Sequence, residues 1–316
     1  MSRWALAVMT AGLISLGGAA WAQPAPAPSA PAPAPPGPPD YSKVTVTTTD
    51  LGHRTWMLQG LGGNITVAVA DDGVLMVDSE FAPLHDKIKA AIGALSPQPV
   101  RYLVDTHLHG DHTGGNAAFA ADGASVVAHA NVKTRLAAGT VNALSGAKTP
   151  PAPAAALPTK TYDDHLTLAL KGRTALLGHV PAAHTDGDTH VWFADANVLA
   201  TGDIVSVGNR YPNIDVASGG NINGMIAGVD AFLAMTNAET RIVPGHGGVM
   251  TRAMLQDYRG VLATARDRVA GLIAKGQSED QVVAAAPLTD LDVKVGATPQ
   301  ASTNFVRLIY RSLKTS

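Results

Sequence analysis

No cysteine occurs among the 316 residues. Its absence excludes disulfide bridges, thiolate metal ligands, a cysteine nucleophile and lipid attachment through a thiol. Charge is also scarce, at 15% of residues, and neither sign prevails: 23 Lys and Arg against 25 Asp and Glu leave a formal charge of −2. A dedicated nucleic-acid binder needs a basic excess, and there is none. The most apolar stretch, residues 4–16, falls short of the ~20 residues that span a bilayer. No internal repeat is visible. What is present is a hydrophobic fraction of 46%, enough for a sizeable core and too much for a wholly disordered chain.

The first forty residues read as address and spacer. Arg3, the apolar run 4–16 and Ala20-Trp21-Ala22 have the layout of a secretory signal peptide cleaved before Gln23. The expectation is a signal peptide over 1–22, export to the periplasm or medium, and no membrane anchor after cleavage. Residues 24–39 are almost only Pro and Ala and hold nine of the 21 prolines, which predicts a semi-rigid polyproline spacer over 23–39. The folded, catalytic domain is expected over 40–316. A second Pro/Ala patch at 150–158, flanked by the polar stretch 140–149, predicts a long surface loop.

Beyond the spacer, strand and helix signals alternate. Val44-Thr45-Val46-Thr47-Thr48 alternates with period two, as does 54–58. Residues 64–70 and 74–78 are β-rich runs around an Asp71-Asp72-Gly73 turn, a hairpin signal. Leu84, Ile88, Ile92 and Leu95 share a helical face that Pro97 and Pro99 terminate. Further strands are predicted at 100–104, 166–170, 175–177, 190–193 and 198–200. Helices are predicted at 223–235 and 254–275, the second stopped by Gly276. Mixed hairpins and βα units predict sheets with helices packed outside them.

The chemistry lies in the turns after the strands. Thr106-His107-Leu108-His109-Gly110-Asp111-His112 follows the strand 100–104 and offers four metal-capable side chains. Alternation sends His107 and His109 to one side, while Asp111 and His112, at the start of a helix, face a second position. His184, in His184-Thr185-Asp186-Gly187-Asp188, follows an apolar run. Thr201-Gly202-Asp203 and Pro244-Gly245-His246 follow two more strands. In α/β architectures ligands collect outside the carboxyl ends of strands, so four such turns can converge. Imidazole and carboxylate donors without thiolate suit zinc, with iron or manganese as alternatives.

His107-x-His109-x-Asp111-His112, followed in order by His184, Asp203 and His246, resembles the metallo-β-lactamase superfamily. The resemblance runs from about Asn64 to Lys275. It implies an α/β fold, a four-layer αβ/βα sandwich. It further implies that His107, His109 and His184 bind a first zinc ion, that Asp111, His112 and His246 bind a second, and that Asp203 bridges them. With a bridging hydroxide the centre keeps about one positive charge, which favours a small anionic substrate. Water held and acidified at the metals would be the nucleophile, oriented by Asp111. The implied activity is hydrolysis of an amide, lactam, lactone or ester, with β-lactams among the candidates. Asp203 stands where the best-known β-lactamases carry a thiolate, which makes the donor set similar to the glyoxalase II type. The same donors leave open a mononuclear iron persulfide dioxygenase and a non-catalytic, metal-binding accessory protein of the periplasm. No protein partner is predicted.

Two loops are candidates for shaping the substrate pocket. Gln59-Gly60-Leu61-Gly62-Gly63-Asn64 is a glycine-rich tip similar in place to the flap of class B β-lactamases. The loop 205–220 carries Arg210 and Tyr211, which are expected to hold a substrate carboxylate unless Arg210 pairs with an acid such as Asp215. Asp188 is placed either on a ligand histidine or in its own turn, and His129 either at the site's rim or in the structural class. His53, His85, His165, His179 and His190 lack ligand spacing and are expected to be exposed or structural.

Overall fold

A computed structural model describes residue 1 and residues 39–315. The signal peptide and spacer expected over 1–39 therefore lie, but for Met1 and Pro39, outside the described residues. From Asp40 onward the chain forms one compact unit.

Short β-rich runs joined by tight turns build the first sheet. β1 (Thr47–Gly52), β2 (Thr55–Gln59), β3 (Ile65–Val69) and β4 (Val74–Val77) pair antiparallel in succession. The turn at 71–73 closes on an Ala70 N–H to Gly73 carbonyl bond of 2.9 Å. Helix α1 (His85–Leu95) crosses to β5 (Val100–Val104), which lies parallel to β4. Then come α2 (Gly110–Thr113), α3 (Asn116–Ala121), β6 (Ser125–His129), α4 (Ala130–Ala138), and a small hairpin of β7 (Thr140–Val141) and β8 (Lys148–Thr149). β9 (Lys160–Tyr162) completes the sheet, ordered β1-β2-β3-β4-β5-β6-β9.

The second sheet, β10-β11-β12-β13-β14, starts with three antiparallel pairings and ends in a parallel one. Its strands are β10 (His165–Leu170), β11 (Arg173–Val180), β12 (Asp188–Phe193), β13 (Val198–Ala200) and β14 (Arg241–Val243), with α5 (Ile222–Met235) between the last two. Helix α6 (Arg252–Ala274) ends before Gly276, whose φ of 78° is the left-handed stop expected there. Three helices follow that the sequence reading leaves unassigned: α7 (Glu279–Ala284), α8 (Thr289–Val295) and α9 (Pro299–Lys314). Each has a local cause: a Ser278–Gln281 capping box for α7, left-handed Gly296 after α8, and a Thr298 cap with Pro299 in the first turn of α9.

Side-chain alternation creates the layers. On β4, Leu75 and Val77 face the second sheet, where they pack with Leu177, Val191 and Phe193. Val74 and Met76 face the other way, onto Ile88, Ile92 and Phe119 of α1 and α3. The outer face of the second sheet packs Leu199 and Ile242 against Val229, Phe232 and Leu262 of α5 and α6. The result is the αβ/βα sandwich. One strand boundary differs from expectation. Residues 41–43 form a 3-10 turn and β1 starts at Thr47, because Val44 and Val46 pack onto the α1 side of the first sheet instead of joining its edge.

Candidate metal centre

β5 is followed by the buried Asp105 and Thr106, and the chain then turns through His107 to His109 into α2. β13 delivers Asp203, and β14, parallel beside it, delivers His246 at the same end of the sheet. The turn between β11 and β12 delivers His184. Donor atoms gather in two groups, His107, His109, His184 and Asp203 in one, and Asp111, His112 and His246 in the other. Within each group they lie within 4.8 Å of one another. Asp203 faces both: one oxygen is 3.4 and 3.5 Å from Nε2 of His112 and His246, and the other is 3.8 Å from Nε2 of His184. All seven residues singled out in the sequence are thus brought together.

The far nitrogens of four of these rings, those of His107, His109, His112 and His184, are held by the protein, which fixes the nitrogen each turns inward. Asp78 Oδ2 accepts from Nδ1 of His112 at 2.8 Å and from the Thr106 hydroxyl at 2.8 Å. That hydroxyl lies 3.0 Å from Nδ1 of His107, so one carboxylate orients a ring in each group. Asp215 Oδ2 lies 3.0 Å from Nε2 of His109, which leaves Nδ1 of that ring facing Nε2 of His184 at 2.9 Å. His184 donates from Nδ1 to the Asn213 carbonyl at 2.9 Å. Nε2 of His107 and one oxygen of Asp203 are buried without a hydrogen-bond partner. Orphaned polar atoms at the middle of a ring of donors are the signature of a cation site, since burial without a partner costs ~1–3 kcal/mol each.

The two groups differ electrostatically. Burial, reinforced by neighbouring imidazoles, pushes His107 well below its ordinary value and His184 down to about 4. In the second group burial works in the same direction but loses. Asp78 and Asp203 hold His112 well above its usual range, and Asp111 and Asp203 hold His246 at about 9. Burial opposes ionisation of Asp111 and Asp203, yet the imidazoles beside them win, holding Asp111 at about 2 and Asp203 well below the carboxylate range.

The glycine-rich tip is not a free flap, because hydrogen bonds tie it to the donor loops. Gly63 N–H donates to the Asp111 carbonyl at 2.9 Å and Asn64 N–H to the Gly245 carbonyl at 2.7 Å. The Asn64 side chain donates to the carbonyls of Pro244 and Gly247. A Cβ at position 63 would collide with the His112 ring, and one at Gly245 with Asp203. The buried Glu80 accepts the N–H groups of Leu61 and Gly62 at 3.0 and 2.9 Å.

Other expectations are corrected. Tyr211 is buried, stacks on Phe305 at 4.5 Å and donates to Asp292 at 2.7 Å, so its hydroxyl is committed to docking α8 and α9. Arg210 is exposed on the rim of a separate cavity and does not pair with Asp215, whose carboxylate serves His109. Asp188 accepts from the N–H and hydroxyl of Thr185 at 2.8 and 2.6 Å, so it holds the turn after His184 rather than a ligand ring. His129 stacks on His179 at 3.7 Å and takes the structural reading. The residues missed were Asp78, Asp215 and Asn64. Asp78 follows an apolar strand as the ligand turns do, so the strand-end rule could have found it.

Against known proteins, a family model described as the metallo-beta-lactamase superfamily matches residues 58–270. The α subunit of 2,4-dinitroanisole O-demethylase from Nocardioides sp. (strain JS1661) is 29% identical over 171 residues, 53% of this chain and 48% of that one. The chain thus spans about half the length of this curated relative. Among solved structures, a metallo-beta-lactamase from Pontibacter korlensis superposes with a TM-score of 0.57 at 17% identity, covering 69% of this chain and 99% of that one. A stereoselective inverting sec-alkylsulfatase from Pseudomonas sp. gives 0.62 at 16% identity, covering 84% of this chain and 50% of that one. At such identities the likeness is one of fold.

Proposed function

Because the chain belongs to the metallo-beta-lactamase superfamily, we propose that it is a hydrolase holding two divalent cations, zinc in the first instance. The observation that carries this reading is Asp203, whose two oxygens stand between a group of three histidines and a group of Asp111, His112 and His246. His107 and His184 would serve through Nε2 and His109 through Nδ1 in the first group, and His112 and His246 through Nε2 beside Asp111 in the second. Divalent cations bound there would supply Lewis acidity. The protein's own contribution is orientation and proton handling. Asp111 is the most solvent-exposed of the ligand side chains, at 30%, and the imidazoles beside it hold its pKa low against burial. In this reading Asp111 orients an attacking water and accepts its proton, while Asp78, Thr106, Asp215 and Asn213 keep the rings they bond from turning.

The substrate class is a small anionic molecule with an amide, lactam, lactone or ester bond. The activities in the names of the relatives add an aryl methyl ether and a sulfate ester to the bonds worth testing. Export through a cleaved signal peptide and action in the periplasm belong to the same proposal, supported by the N-terminal sequence. No nucleic-acid, protein or membrane partner is proposed.

The test has two parts. Elemental analysis of the purified protein should give close to two zinc per chain, and one iron without zinc would favour the dioxygenase reading instead. The zinc-loaded protein should then turn over at least one of a chromogenic cephalosporin, a lactone, a thioester, an aryl methyl ether and a sulfate ester. Full metal occupancy with no turnover on any of them would overturn the hydrolase reading in favour of an accessory metal protein.

A further inference from the structure

The segment that leaves Asp203 also walls a second cavity, of about 250 Å³, that none of the seven donors lines. Val207, Met250, Met254, Tyr258 and Val261 make its sides apolar, and two of these are methionines, which adapt to irregular ligands. Aromatic parts of the wall are pinned in place: Tyr258 donates to the Ile204 carbonyl at 3.0 Å, and Tyr211 to Asp292. Met254 is 47% exposed at its mouth.

The charges that line this slot do not balance. Arg210, Lys294 and Asp257 stand at it, two cations against one anion. Among the described residues every other arginine makes at least one hydrogen bond, from Arg54 on Asp71 to Arg311 on Glu279. Arg210 has none, and neither Arg210 nor Lys294 pairs with a described acid. A guanidinium left free beside an apolar slot is a receptor for a flat, bidentate anion with a hydrophobic body.

The geometry points to a binding site for a small organic monoanion, its carboxylate or sulfate head at Arg210 and Lys294 and its apolar body among Met250, Met254 and Tyr258. This site is separate from the metal donors, yet it shares a wall with them. Val207 N–H donates to the His246 carbonyl at 3.0 Å, and the Tyr258 hydroxyl holds the residue after Asp203. The inference does not depend on the hydrolase reading.

Calorimetric titration of the full chain tests it with octanoate as probe, octan-1-ol as a tail without charge and acetate as a head without tail. Octanoate should saturate one site per chain, with octanol and acetate at least tenfold weaker. Arg210→Ala combined with Lys294→Ala should weaken octanoate at least tenfold, and so should Met254→Asp. Both sets change exposed side chains, and unchanged thermal midpoints will verify the fold. After removal of metals with EDTA, octanoate should bind as before. A different probe head, octyl sulfate, then ranks sulfate against carboxylate. The inference is overturned if octanoate shows no saturable binding, if octanol binds equally well, or if the double variant keeps full affinity. Loss of binding after EDTA treatment also overturns it, because the carboxylate would then sit on the metals.

Discussion

The two donor groups share a bridging residue but are built differently. In the first, all three rings are held on their far side, His107 by Thr106, His109 by Asp215 and His184 by the Asn213 carbonyl. In the second, His112 is held by Asp78, but no described group bonds Nδ1 of His246, and the Asp111 side chain is 30% exposed. Burial lowers His107 and His184 in the first group, whereas in the second the carboxylates of Asp78, Asp111 and Asp203 outweigh burial and raise His112 and His246. The contrast is one of support: three far-side holds in the first group against one in the second.

The largest effect should come from removing what the groups share. Asp203→Ala is expected to lower the metal content of both and to cut turnover at least ~10³-fold, the upper range for loss of a principal electrostatic stabiliser. Retention of two zinc ions by elemental analysis would show that the groups do not depend on that bridge. Asp111→Ala should act on one group only. One ion is retained, the thermal midpoint stays near that of the parent, and turnover falls by ~10²-fold or more. Unchanged hydrolysis at verified metal content would remove Asp111 from the mechanism.

Smaller effects sharpen the division. Asp215→Ala is expected to weaken the first group's metal by ~10–100-fold, read as affinity in a competitive chelator titration, and to leave the second near parental. Asp78→Asn keeps a residue type that tolerates the local φ of 65°. Because Asp78 reaches both groups, this variant should weaken both, and an effect confined to the second would show that Thr106 does not relay to His107.

The smallest effect lies far from either group. Arg311, with Arg307 beside it, holds Glu279 below the ordinary glutamate range and outweighs its partial burial. A carboxyl depressed in the folded state adds stability that is complete above its unfolded value of ~4.3 and is lost as pH falls through the folded value. Glu279→Gln should therefore cost about 1 kcal/mol or less at pH 7 and progressively less as pH falls below ~4.3, measured by denaturant unfolding across that range.

The donors were legible in the sequence because their chemistry and their position after strands coincide in short motifs. Their supports were not. Asp78 lies 34 residues before His112 and is marked only by its place after a strand, and Asp215 lies 106 residues after His109 with nothing local to mark it. Tyr211 looked functional from its loop, but the stacking that buries it comes from Phe305 in a helix that carried no assignment. Strand cores such as 74–77 and 198–200 were read correctly from apolar runs. The edge at Val44 and Val46 was not, because tertiary packing overrode period-two alternation.

The glycine-rich tip has a consequence for protein engineering. Its residues carry no donor, yet position 63 reserves the space of an imidazole, position 64 laces the His246 turn, and position 60 lies against Glu80. A library meant to change what the centre accepts has one permissive position there, Leu61, whose side chain is exposed while its backbone stays tethered. Diversity placed elsewhere in the tip would be selected for survival of the scaffold before it was ever selected for substrate.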